Sequence, residues 1–123
     1  MKIITSNHTN NPLHNPSGEI IYEIFGKQEH LGDTKNHGLA EAIIPPGKSS
    51  EKHFHKKTEE TYYILSGTGR IIIDEKTHTL NTGDLCLIMP GETHQMFNDN
   101  DVDVVFLAIS APAWDKDDEF LVK

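Results

Sequence analysis

Turn-forming residues cut this chain into segments too short to support long helices. Pro45-Pro46-Gly47, Ser66-Gly67-Thr68-Gly69, Thr82-Gly83-Asp84 and Pro90-Gly91 fall between runs rich in apolar, β-branched and aromatic residues, and no sustained helical periodicity competes with them. The runs are Glu19–Phe25, Leu39–Ile44, Glu60–Leu65, Arg70–Asp74, Leu85–Met89 and Val102–Ile109. Each reads as a strand, and the spacing predicts that Glu60–Leu65 and Arg70–Asp74 pair as a hairpin about the glycine turn between them. At 123 residues the chain makes one domain with a real core, and the pattern is that of an all-β sandwich or barrel.

Chemistry-bearing residues sit on this strand pattern with informative spacing. Side chains at i and i+2 leave a strand by the same face, so His53-Phe54-His55 presents two imidazoles to one side and Phe54 to the other. A helix would need i and i+4. Lys56-Lys57-Thr58 then lets the chain turn before Glu60, Tyr62 and Ile64, which share one face. Beyond Pro90-Gly91, His94, Met96 and Asn98 leave by one face of another short strand. Three imidazoles and a carboxylate, His53, His55, Glu60 and His94, are thereby able to converge on one divalent metal. Singly, each would be an ordinary surface or hydrogen-bonded residue.

The same residues carry a resemblance. Gly47, His53, His55, Glu60 and Gly67 match the first cupin motif, and Gly83, Gly91, His94 and Asn98 match the second. Glu60 rather than the neighbouring Glu59 is separated from Gly67 by six residues, as the motif asks. One position departs: the proline expected two places before Gly91 is Met89, with Pro90 beside it. The chain thus resembles small stand-alone cupins, in particular those named after mannose-6-phosphate isomerase. The resemblance implies a double-stranded β-helix, that is, a jelly-roll barrel. It also implies a homodimer. Its boundaries are an extended arm over 1–18, a barrel over 19–112 with the motifs at 47–67 and 83–98, and an acidic tail over 113–123 with Trp114 and Phe120 able to pack back.

The donor set shapes the expected chemistry. Mixed nitrogen and oxygen ligands suit Mn, Fe(II), Co, Ni, Cu or Zn and disfavour calcium or magnesium. Four protein ligands close a tetrahedral zinc but leave two open positions on an octahedral ion, which favours Mn or Fe(II) as working metal. Such an ion is a Lewis acid toward a bound anion or water. The expected role is a metal-dependent enzyme acting on a small oxygenated metabolite, by isomerase, dioxygenase or decarboxylase chemistry; the alternative is a non-catalytic binding or sensor module. Tyr62, facing inward, and Glu41, inside an apolar strand, are the candidate acid–base residues. Lys48, Lys52 and Arg70 are the cations available to a phosphorylated substrate.

Composition narrows the partners. A net charge of -8 argues against nucleic acid and anionic membrane, which call for clustered Lys and Arg. No apolar run approaches the ~20 residues of a membrane span. The polar start and single Cys86 suggest a cytoplasmic protein, with Cys86 a small buried residue. His8, His14, His30, His37 and His78 fall in polar segments and are expected at the surface.

Overall fold

The computed structural model describes residues 1–5, 11–27 and 32–123. His8 and His30 therefore lie outside the described residues. Strands form where the apolar runs lie: β1 Leu13–His14, β2 Ile20–Gly26, β3 Gly32–Asp33, β4 Gly38–Ile44, β5 His53–Phe54, β6 Glu59–Ser66, β7 Gly69–Ile73, β8 Lys76–Leu80, β9 Leu85–Ile88, β10 His94–Phe97, β11 Val104–Ala111 and β12 Phe120–Leu121. They build two sheets. The first runs β1-β2-β4-β11-β6-β9 with β3 beside β2, and the second runs β12-β5-β10-β7-β8. Facing side chains of the two close over Ile44, Ile64, Ile71, Met96, Val104 and Phe106, all buried. This is a double-stranded β-helix.

The expected hairpin between β6 and β7 does not form. β6 pairs with β11 and β9, whereas β7 pairs with β10 and β8, so the chain crosses from one sheet to the other at the glycine turn. Gly67 permits the crossing. Its φ is +81°, and a Cβ there would stand 2.4 Å from the Asp103 carbonyl oxygen at the entry to β11. A turn signal marks a change of direction, not the partner chosen afterwards. The hairpin is instead β7 with β8, closed by Asp74 and Glu75, both at positive φ (45° and 72°) as a two-residue turn of matching twist requires.

The two ends of the chain join the barrel. β1 pairs with β2. The C-terminal stretch makes a short 3-10 helix at Lys116–Asp118, then β12 pairs with β5 and stacks Phe120 on Phe54. Cys86 is half-buried, and burial raises its thiol pKa. Leu85 and Leu87, on either side of Cys86, are 65% and 59% exposed because β9 alternates its faces at the edge of the first sheet. His14, His37 and His78 are exposed.

Candidate metal centre and cavity

β5 and β10 lie antiparallel with His53 directly opposite His94, and Glu60 stands on β6 in the other sheet. His53, His55, Glu60 and His94 are all buried, with one ligand atom from each within 4.8 Å of the others. The i and i+2 geometry holds at His53 and His55, whose rings meet edge to face.

Hydrogen bonds fix the protons away from the centre. Nδ1 of His53 lies 2.8 Å from the Glu51 carbonyl, Nδ1 of His55 lies 2.9 Å from that of Asp118, and Nδ1 of His94 lies 2.9 Å from that of Glu92. A carbonyl only accepts, so each Nδ1 carries the hydrogen and each neutral ring presents a lone pair at Nε2. Glu60 Oε1 lies 3.1 Å from His55 Nε2 and 3.3 Å from His94 Nε2. These three buried atoms have no hydrogen bond of good geometry. Lone pairs facing one another in a dry site are costly unless a cation sits among them. The donor set therefore fits a divalent transition metal.

Without metal, charge on the imidazoles does the same job less completely. Burial pushes the Glu60 carboxyl up, but the close approach of His55 and His94 Nε2 and the positive charge these rings carry when protonated outweigh it and hold the group at about 2. Burial also opposes charge on His55, and Glu60 reverses this, leaving its pKa raised. For His53, burial and then the charge of His94 lower it.

Three of the four, His53, His55 and Glu60, form part of the wall of a cavity of about 620 Å³ between the sheets. Tyr62 lines it as parity predicts, its ring against His94 and Phe106. Burial and then the Glu60 charge raise the phenol well above its ordinary value, so Tyr62 keeps its proton. Glu41 is elsewhere. On β4 it is Ala40 and Ala42 that line the cavity, so the intervening Glu41 projects from the opposite face of the sheet, in register with Tyr22 and Leu107. The structure does not bring Glu41 to the site. Lys48, Lys52 and Arg70 do not line it either; Arg70 pairs with Asp99 at 2.6 and 3.0 Å and covers Phe97.

Sequence reading passed over Glu19, Asp118 and Glu119. Glu19 is 6% exposed, faces the cavity in phase with Ile21, Glu23 and Phe25, and accepts a hydrogen bond from Asn15 Nδ2 at 3.0 Å. Burial above all drives its carboxyl up to about 7. Strand parity from Phe25 back to Glu19 was the available signal. Asp118 accepts from the backbone N–H groups of Lys56, Lys57 and Thr58, at 3.1 Å each, and so holds the turn between His55 and Glu60. Glu119 lies 3.8 Å from His53 Nε2 and accepts from Trp114 Nε1 at 3.4 Å. No spacing rule connects these C-terminal residues to the motifs.

Fold and site together define a β-barrel protein with a metal-competent cavity, and residues 40–110 match the family described as the cupin domain. The chain belongs to the cupin family. It is 33% identical over 119 residues to an uncharacterised protein of Methanocaldococcus jannaschii, covering 96% of this chain and 94% of that one. It is 38% identical over 71 residues to an oxalate-binding protein of Thermotoga maritima, covering 58% of this chain and 59% of the relative. Among solved structures, a predicted oxalate decarboxylase of Thermotoga maritima superposes with a TM-score of 0.74 at 27% identity, over 89% of this chain and 99% of that one. No helix among the described residues is long and apolar enough to cross a membrane.

Proposed function

We propose that this cupin is a metal-dependent enzyme acting on a small oxygenated metabolite that chelates the metal from the cavity. The observation that carries the reading is the convergence of Nε2 lone pairs of His55 and His94 on Glu60 Oε1, with His53 alongside, at the wall of a cavity large enough for a small molecule. Bound there, Mn or Fe(II) supplies Lewis-acid polarisation of a substrate oxygen. The chain's own residues supply the rest. His53, His55, Glu60 and His94 would hold the ion, Tyr62 would offer a protonated hydroxyl group, and Phe25, Phe106 and Trp114 would exclude water from one flank. The similarity to an oxalate-binding protein supports a chelating, oxygen-rich ligand.

The test is turnover. Manganese- or iron-loaded protein is incubated under air with oxalate, hydroxy acids and simple sugars, while oxygen uptake and products are followed. Conversion that is lost in His94→Ala is the expected result. Saturable binding without conversion would instead make the protein a binding or sensor module.

The same reading places the chain in the cytoplasm, where its lone Cys86 thiol stays reduced, and makes it a homodimer. Register sets Tyr63 between Leu85 and Leu107, and Thr61 between Leu87 and Ile109, giving a largely apolar strip on the outer face of the first sheet, bordered by Glu41 beside Leu107. A second copy is the occupant that suits it, since two chains of net charge -8 approach most readily through a face poor in charge.

A further inference from the structure

Glu19 reaches the same cavity as His53, His55 and Glu60 but from a different element, the entry to β2. A hydrogen-bonded turn puts it there. The Asn15 N–H donates to the Glu19 carbonyl and the Gly18 N–H to the Asn15 carbonyl, each at 2.9 Å, and Gly18, at a φ of +107°, bridges to Ser49 in the loop before β5. The buried side chain is held as well, since Asn15 Nδ2 donates to Glu19 Oε1 at 3.0 Å. Among the described residues Asn15 is the one hydrogen-bond donor to that carboxyl group, and no cluster imidazole pairs with it.

A carboxyl group in such a place resists ionisation. Glu51, His53 and His55 face the same space from the loop before β5 and from β5 and its end, Glu60 and Tyr62 from β6, and Glu119 from the C-terminal segment; Glu23, on β2 itself, has a partner of its own. Burial above all, opposed by the Asn15 hydrogen bond, holds Glu19 at about 7. The group therefore keeps its proton up to neutral pH, and a protonated carboxyl has an O–H to donate. Donors are what an oxygen-rich ligand needs here. Among the described residues that line the cavity there is no lysine or arginine, and Asn15 Nδ2 and Trp114 Nε1 are already directed at Glu19 and Glu119. An ionised Glu19 would repel a ligand carboxylate, whereas the protonated form binds it through a short, charge-assisted hydrogen bond.

We propose that Glu19 is a ligand-binding residue that works protonated, donating its carboxyl hydrogen to a carboxylate oxygen of a small acid that chelates the metal from the cavity, so that each ligand enters together with one proton from solution. The inference rests on the metal-dependent reading above, which favours a chelating, oxygen-rich ligand, and adds the residue that holds the ligand oxygen turned away from the metal.

Oxalate and glycolate, whose own carboxyl groups stay ionised from pH 6 to pH 8, test it directly. Each is titrated calorimetrically into manganese-loaded full-length protein at both pH values, in two buffers of different ionisation enthalpy, which gives the affinity and the number of protons taken up. Affinity should fall about tenfold from pH 6 to pH 8, with close to one proton taken up at pH 8, as linkage to a group near 7 requires. In Glu19→Gln, whose amide donates without titrating, affinity should change less than about twofold over the same range and the uptake should vanish. A wild-type affinity that does not depend on pH overturns the proposal. A pH dependence that persists in Glu19→Gln does so too, because another group would then carry it. Failure of both acids to bind protein that holds its manganese also overturns it, while the metal site stands. If manganese is not retained, the metal-site reading fails separately; the same titrations of metal-free wild type and Glu19→Gln then decide the role of Glu19 by the same criteria, and absence of binding counts against it.

Discussion

The Nδ1 of His55 donates to the backbone carbonyl of Asp118, 2.9 Å away and 63 residues later in the chain. The carboxylate of that same Asp118 accepts from Lys56, Lys57 and Thr58. One C-terminal residue thus both orients a metal-cluster imidazole and pins the turn leading to Glu60. Asp118→Ala should lower stability by about 3 kcal/mol, because three N–H groups, that of Thr58 buried and the others part-buried, lose a charged acceptor together. It should also weaken metal affinity about 10- to 100-fold, as loss of a group supporting a ligand does. Denaturant unfolding and metal titration read the two effects.

Glu19 makes stability depend on pH in an unusual direction. Its folded-state value of about 7 exceeds the ordinary 4.5, so between these values the folded state binds more protons than the unfolded one. Stability from this group is therefore lost as pH rises through the window. The loss amounts to about 3 kcal/mol at 1.36 kcal/mol per unit. Glu19→Gln, which cannot titrate, should match wild type near pH 4.5 and exceed it by that order near pH 8. Unfolding free energies at the two pH values check the crossover; a constant difference would place Glu19 in water.

Two glycines with similar backbone angles should respond differently to alanine. Gly67 and Gly83 have φ of +81° and +91°, but a Cβ at Gly67 meets Asp103 whereas one at Gly83 meets nothing within 4 Å. Gly83→Ala should cost about 1 kcal/mol, the backbone penalty alone. Gly67→Ala should cost clearly more, since the crossing between sheets must shift. Thermal melts of the pair compare them.

The outer strip gives an expected oligomeric state. Wild type should run as a dimer by light scattering, and Leu87→Asp, at an exposed edge position, should run as a monomer with unchanged far-ultraviolet circular dichroism. A monomeric wild type would remove the strip as an interface.

Strand parity made much of this legible beforehand. His53 and His55, two apart, and Glu60, Tyr62 and Ile64, alternating inward, follow from a period fixed by the pleat. Local rules are silent on which strands become neighbours, so the crossing at Gly67 replaced the expected hairpin. Glu41 illustrates a second limit. An acid within Leu39–Ile44 can face either way, and only the register with β2 and β11 shows that Ala40 and Ala42 take the cavity side. Glu19 was hidden for a related reason: its burial depends on Asn15 and the cavity around it, neither of which has a motif.

The central claim is that His53, His55, Glu60 and His94 hold one metal ion. Mass spectrometry of metal content in gently purified protein, beside His94→Ala, tests it most directly. About one manganese or iron per chain in wild type and almost none in the variant, with circular dichroism unchanged, is the expected result. Full occupancy in the variant, or no metal in wild type after reconstitution at neutral pH, would contradict it.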